Sequence, residues 1–169
     1  MQVSLQAEKP KRSGPMDRID RKILHELQAD ATLPIAQLAE RVGLSQTPCW
    51  KRVQKLEEQG VILGRVALVD PQKIGLDLMV FVEIEALDHS PEWRDTFSKA
   101  IASLPEVLDV FRMAGEVDYL LRVVVEDMMQ FDTFYKRLTA LVPLKSVTSK
   151  FTMERIKATT AYPINITDR

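Results

Sequence analysis

Two clusters in the 169-residue chain carry side chains suited to chemistry. The first is Ser45, Gln46, Thr47, Lys51, Arg52 and Lys55, a run of amide, hydroxyl and cationic groups within eleven residues. Amides and hydroxyls hydrogen-bond base edges, and lysine and arginine neutralise phosphates, so this set suits a nucleic acid. The second is Gly115-Glu116-Val117-Asp118-Tyr119, where a glycine permits close backbone approach and Asp118 offers an acceptor suited to an α-amino group. From spacing alone, a plain hairpin turn with a solvated aspartate fits that second cluster as well. Catalytic groups do not converge anywhere. His25 falls in a helical pattern, His89 in a polar turn, and neither metal-ligand spacing nor a glycine-rich phosphate loop appears. The chain therefore reads as a non-enzyme with no cofactor and no metal.

Positioning the first cluster requires a helix, and the apolar spacing supplies three. Ile19, Ile23, Leu24 and Leu27 recur at helical intervals behind Asp17, a capping residue. Ile35, Leu38, Ala39 and Val42 form a short second helix after Pro34, and Gly43 stops it. Ser45 then opens a third helix with Cys49, Val53 and Leu56 inward. A short helix, a glycine turn and a second helix with a polar outer face is the helix-turn-helix arrangement, whose second helix enters the major groove. Glu57 and Glu58 would repel phosphates, so the contact surface should end near Lys55. Trp50 is expected to pack against helix one, and Cys49 to be a structural thiol.

After Gly60, the apolar residues Val61 to Val69 suggest a strand or hairpin, a wing, before the break at Asp70-Pro71. Beyond it, residues 78–87 alternate, with Val80, Val82 and Ile84 on one face and Glu83 and Glu85 on the other. A helix follows Ser90-Pro91 with Trp93, Phe97, Ile101 and Leu104 inward. Strands are predicted over 106–113, 118–125 and 146–157, with a helix after Asp127 carrying Phe131, Phe134, Tyr135, Leu138 and Leu141 inward. The fold class is α+β, a winged helix-turn-helix followed by a ferredoxin-like βαββαβ domain. The expected domains are a flexible tail (1–16), the helix-turn-helix (17–62), a wing and linker (63–76), a sensing and oligomerisation domain (77–158) and a C-terminal tail (159–169).

Both helices on one side of such a sheet leave its other face bare. Met79, Phe81, Tyr119, Leu121, Val123 and Val125 are candidates to line that face, and a second subunit is the simplest cover. A homodimer also suits a helix-turn-helix reading a pseudo-palindrome in double-stranded DNA.

Composition is consistent with this plan. Hydrophobic residues make up 46% and charged residues 28%, as in a folded soluble protein. Net charge is −1, which excludes bulk electrostatic coating of nucleic acid. Residues 1–65 hold 11 Lys or Arg against 8 Asp or Glu, whereas residues 66–169 hold 12 against 16, so positive charge gathers where the helix-turn-helix lies. One cysteine excludes an internal disulfide, and the absence of a long apolar run excludes a membrane span and points to the cytoplasm. Lys9, Lys11 and Arg12 in the tail are expected to add nonspecific phosphate contacts.

The chain resembles the leucine-responsive and asparagine-responsive (Lrp/AsnC) regulators from Asp17 to about Ile164. The carriers are Asp20-Arg21-Lys22-Ile23-Leu24, Gly43-Leu44-Ser45-Gln46-Thr47-Pro48-Cys49, Arg52-Val53-Gln54-Lys55-Leu56-Glu57, Gly60-Val61-Ile62, Asp70-Pro71, Gly75 and Gly115-x-x-Asp118-Tyr119. The resemblance implies an octamer or other dimer-based assembly, DNA wrapping or bending, and an amino-acid effector pocket at contacts between sensing domains, near Gly115, Glu116, Asp118 and Tyr119. It also makes Cys49 part of a family pattern. Thr47-Pro48-Cys49-Trp50-Lys51-Arg52, Arg112-Met113-Ala114-Gly115-Glu116 and Phe134-Tyr135-Lys136-Arg137-Leu138 look closest to cysteine-responsive members. The expected function is transcription regulation in answer to an amino acid, cysteine among the candidates. The alternative is a ligand-independent architectural DNA binder.

Overall fold

The computed structural model describes residues 16–167, so the expected tail, apart from Met16, and its three cations lie outside the described residues. The chain divides into two units, one formed by residues up to Ala67 together with those from Ala158, the other being Leu68–Lys157.

In the first unit, α1 (Arg18–Ala29), α2 (Ile35–Val42) and α3 (Gln46–Glu58) surround a core of Ile23, Leu24, Leu38, Val42, Cys49 and Leu56. Each helix contributes one apolar stripe, and three stripes facing one another bury what none could bury alone. Asp17 caps α1 through a reciprocal box. Its Oδ1 accepts from the Asp20 amide at 2.8 Å, and Asp20 Oδ2 accepts from the Asp17 amide at 3.3 Å. Gly43 ends α2 in the left-handed region at φ 76°, which a Cβ would oppose, and the chain turns into α3 within three residues. Ser45 occupies the position before α3, but its side chain makes no capping hydrogen bond. The C-terminal segment returns to this unit. Ile164 packs on its core, and the Tyr162 amide donates to Gln28 Oε1 at 2.7 Å on α1.

The expected wing is absent. Residues 63–69 form no strand or hairpin, and Leu63, Val66, Leu68 and Val69 are exposed. Strand residues need a partner ladder, and none of the chain's described residues supplies one here. A 3-10 turn, Gln72–Ile74, lies near the start of the second unit.

There, β1 (Leu78–Ala86), α4 (Pro91–Ala102), β2 (Val107–Arg112), β3 (Tyr119–Val125), α5 (Met128–Leu141) and β4 (Leu144–Phe151) build an antiparallel sheet in the order β2-β3-β1-β4. This is the ferredoxin-like α+β plan expected. Trp93, Phe97 and Leu104 around α4 and Phe131, Phe134 and Leu138 of α5 pack on Val80, Val82, Ile84, Leu121, Val123 and Val125. Leu141, expected inward, is exposed at the end of α5.

Two strand details differ from expectation. β4 stops at Phe151, six residues early, because β1, its partner, begins its ladder there with Val80 opposite Phe151. The parity of β3 is also reversed. Tyr119, Leu121, Val123 and Val125 pack with the helix-covered core, whereas Arg122 and Val124 sit opposite Phe81 and Met79 on the bare face. Strand residues alternate faces, so one residue of register decides the whole set.

Candidate nucleic-acid interface and effector turn

A helix turns about 100° per residue, which separates the side chains of α3 into two groups. Cys49, Val53 and Leu56 point into the core and are buried. Gln46, Thr47, Trp50, Lys51 and Lys55 are exposed, with Ser45 just before them. Gln46 and Thr47 lie in the first turn and the two lysines one and two turns further on. That order suits base contact at the helix start and phosphate contact along its flank. Trp50 was expected to pack on α1. It is 49% exposed, and with Leu27, Leu33, Ile35, Leu38 and Val53 it lines a shallow recess of about 210 Å³. Cys49 is fully buried, and burial pushes its thiol pKa up, which keeps it protonated and inert.

Arg52 stands apart from the other five. Its guanidinium turns toward α1, where Nη1 donates to Asp17 Oδ2 and Asp20 Oδ1, both at 2.6 Å. Its hydrogen bonds to both carboxylates, Asp17 first, hold its pKa above the usual arginine value. The sequence carried a signal for this arrangement. Asp20 lies three and four residues before Ile23 and Leu24, on the apolar stripe of α1, and a carboxylate on a buried stripe requires a cation. Arg52, three residues after Cys49 and four before Leu56, borders the facing stripe.

In the second cluster, Gly115 and Glu116 are exposed at the β2–β3 turn, and nothing stands within 4 Å of where a Cβ on Gly115 would be. The turn is open to an approaching molecule. Asp118 is half-buried and already engaged. Its Oδ2 accepts from the Ala86 amide at 2.8 Å, its own amide donates to Ile84 O at 2.9 Å, and its Oδ1 lies 3.9 Å from His89 Nδ1. Tyr119 is turned inward, its ring 4.5 Å from that of Phe97 and 5.9 Å from that of Trp93. Of the four residues expected around an effector, the structure thus sets Gly115 and Glu116 at the surface, Asp118 at its margin and Tyr119 against the core. Beside them, Glu85 accepts from Lys145 at 2.7 Å and Ser146 at 2.8 Å, and these bonds, Lys145 first, lower its pKa.

On the bare face of the sheet, a groove of about 620 Å³ runs over Met79, Phe81, Arg122, Val124 and Arg155. Arg122 is tied there to Asp109. Among the described residues, no group of His, Cys, Asp and Glu is arranged to hold a metal ion, and no helix is long and apolar enough to cross a membrane.

Comparison with known proteins joins these observations. Residues 16–57 match the AsnC-type helix-turn-helix domain, and residues 79–162 match the Lrp/AsnC ligand binding domain. The DNA-binding transcriptional activator DecR of Escherichia coli (strain K12) is 55% identical over 150 residues, which cover 88% of this chain and 99% of that protein. An AsnC family transcriptional regulator from Agrobacterium tumefaciens, solved by crystallography, is 55% identical, with a TM-score of 0.84 over 88% of this chain and 97% of that one. A transcriptional regulator from Neisseria meningitidis, solved in complex with L-Met, is 34% identical, with a TM-score of 0.85 over 89% of this chain and 98% of that one. The chain belongs to the Lrp/AsnC family and is a DNA-binding transcriptional regulator.

Proposed function

We propose that the protein reads its operator with the first turn of α3 and answers to a free amino acid bound near the Gly115–Tyr119 turn. The observation that carries the reading is the composition of the exposed side of α3. Gln46 and Thr47 meet base edges, Ser45, Lys51 and Lys55 meet phosphates, and Arg52 belongs to the protein's interior framework. The protein acts as a regulator in the cytoplasm and not as an enzyme.

Two features support subunit pairing. The bare sheet face presents Met79, Phe81 and Val124, and residues 63–69 leave four large apolar side chains in water. Burying such surface against a second copy gives a homodimer, and dimers associate further, to an octamer or another dimer-based assembly. The effector reading is supported by the open turn at Gly115, by Asp118 beside it, and by the L-Met held by the Neisseria relative. Cysteine is the first amino acid to try, given the resemblance to cysteine-responsive members.

A thermal-shift screen of the twenty amino acids tests the sensing half. A ligand that binds only the folded state raises its stability by about 2.7 kcal/mol at one hundred times its Kd. A response to one or a few amino acids is expected. No response to any would return the protein to the ligand-independent architectural reading.

A further inference from the structure

We propose that Arg52 is a positioning residue for the recognition helix, clamping α3 to the start of α1 through Asp17 and Asp20 without touching DNA. The geometry is a closed network. One nitrogen of Arg52 bridges the two carboxylates, and the remaining oxygen of each carboxylate accepts the backbone amide of the other residue. All four carboxylate oxygens are therefore occupied. Asp20 is only 4% exposed, so its charge is tolerable only with this partner.

The consequence for DNA reading follows from what else holds α3. Its core contacts, Cys49, Val53 and Leu56, are apolar, and apolar contact is non-directional, so it permits α3 to slide or roll by a fraction of a turn. The clamp is directional. It joins α3 one residue after Lys51 and three before Lys55, and fixes the fine rotation and axial position of the outward-facing side chains. Loss of the clamp should degrade every base contact together while leaving the cations that bind any duplex in place.

The inference rests on α3 as the reading helix, which Lys51→Ala tests separately through loss of affinity for all duplexes. Its own test uses the full chain with Asp20→Asn, Arg52→Ala and Arg52→Lys. Affinity for the operator, identified by binding-site sequencing, is compared with that for a random duplex over a salt series well below each variant's melting temperature. Asp20→Asn is expected to weaken operator binding on the order of tenfold and leave the random duplex and both salt slopes unchanged. This sign is diagnostic, because removing a negative charge near DNA otherwise strengthens binding. Arg52→Ala should behave alike, and Arg52→Lys should recover most of the loss, since one ammonium can donate to both carboxylates.

A residue that only stabilised the fold would lower the melting temperature without changing the operator-to-random ratio, and that result overturns the inference. So does a salt slope flattened by about 0.9 per bound subunit in Arg52→Ala, which marks a phosphate contact. Specificity relaxed at a single base pair, marking a base contact, overturns it too. Should Arg52→Ala fail to fold, Asp17→Asn decides instead, because asparagine retains the helix cap while removing one arm of the clamp.

Discussion

Replacing Asp118 by alanine separates its two roles, as an internal acceptor and as a ligand for an effector amine. The Ala86 amide donates to Asp118 Oδ2 at 2.8 Å, and Ala86 is 5% exposed, so the truncation strands a buried donor. Such a donor costs about 1–3 kcal/mol. The Asp118 side chain retains 32% exposure, so water reaches the site in part, and about 1–2 kcal/mol is the working figure. For a unit the size of Leu68–Lys157, each kcal/mol shifts Tm by about 4–8 °C. The expected fall without effector is therefore about 4–16 °C.

Asp118→Asn keeps an oxygen for Ala86 but no charge for an ammonium group. It should melt within a few degrees of the parent and lose most of the effector-induced rise, because charge-assisted hydrogen bonds are about twice as strong as neutral ones. Differential scanning fluorimetry of parent, alanine and asparagine forms, with and without the amino acid found by screening, reads both effects. An alanine variant that melts with the parent refutes the acceptor role. An asparagine variant with the full effector shift refutes Asp118 as the partner of the amine.

Three further outcomes are expected. Lys51→Ala and Lys55→Ala should each reduce the salt slope of DNA binding by about 0.9 per bound subunit, measured by fluorescence anisotropy, and unchanged slopes would remove them from the phosphate contacts. Leu138→Ala, at a fully buried position between helices and sheet, should cost about 2–5 kcal/mol in urea unfolding, and a cost below about 1 kcal/mol would contradict the packing described. The third concerns pH. The Asp20 amide, then Arg52, holds the Asp17 carboxyl below the ordinary aspartate value of about 3.9. Its contribution to stability is therefore complete above that pH and is lost as pH falls through the lower folded value. Asp17→Asn should flatten this acid limb of the unfolding free energy, and superimposable pH profiles would dismiss the titration of Asp17 as its cause.

The helices, the βαββαβ succession of elements and the polar run Ser45 to Lys55 were legible in the sequence because they rest on local spacing. A period of 3.6 or 2 and a cap such as Asp17 or Ser90 act within a few residues. Where an element depends on a partner distant in sequence, local pattern was insufficient. The side chains Val61 to Val69 have the composition of a strand, yet no ladder partner lies within the described chain, and most of them stand in water. β3 is apolar on both faces at several positions, so alternation alone could not choose which face the helices cover.

The same division runs through the candidate site. By itself the sequence determined that α3 would carry Gln46, Thr47, Lys51 and Lys55 on its outer side behind Ser45, since helical rotation fixes their bearing relative to Cys49, Val53 and Leu56. It also determined that Gly115 and Glu116 would fall in a turn between two strands. Only the tertiary structure decided where Arg52, Asp118 and Tyr119 spend their polar and aromatic groups. Arg52 lies more than thirty residues from its carboxylates, Asp118 a similar distance from the amide it accepts, and the Tyr119 ring lies tilted against Phe97 on a helix from earlier in the chain. A charged or aromatic side chain satisfies itself with whatever the fold brings within reach, and that is settled by packing rather than by its neighbours in sequence.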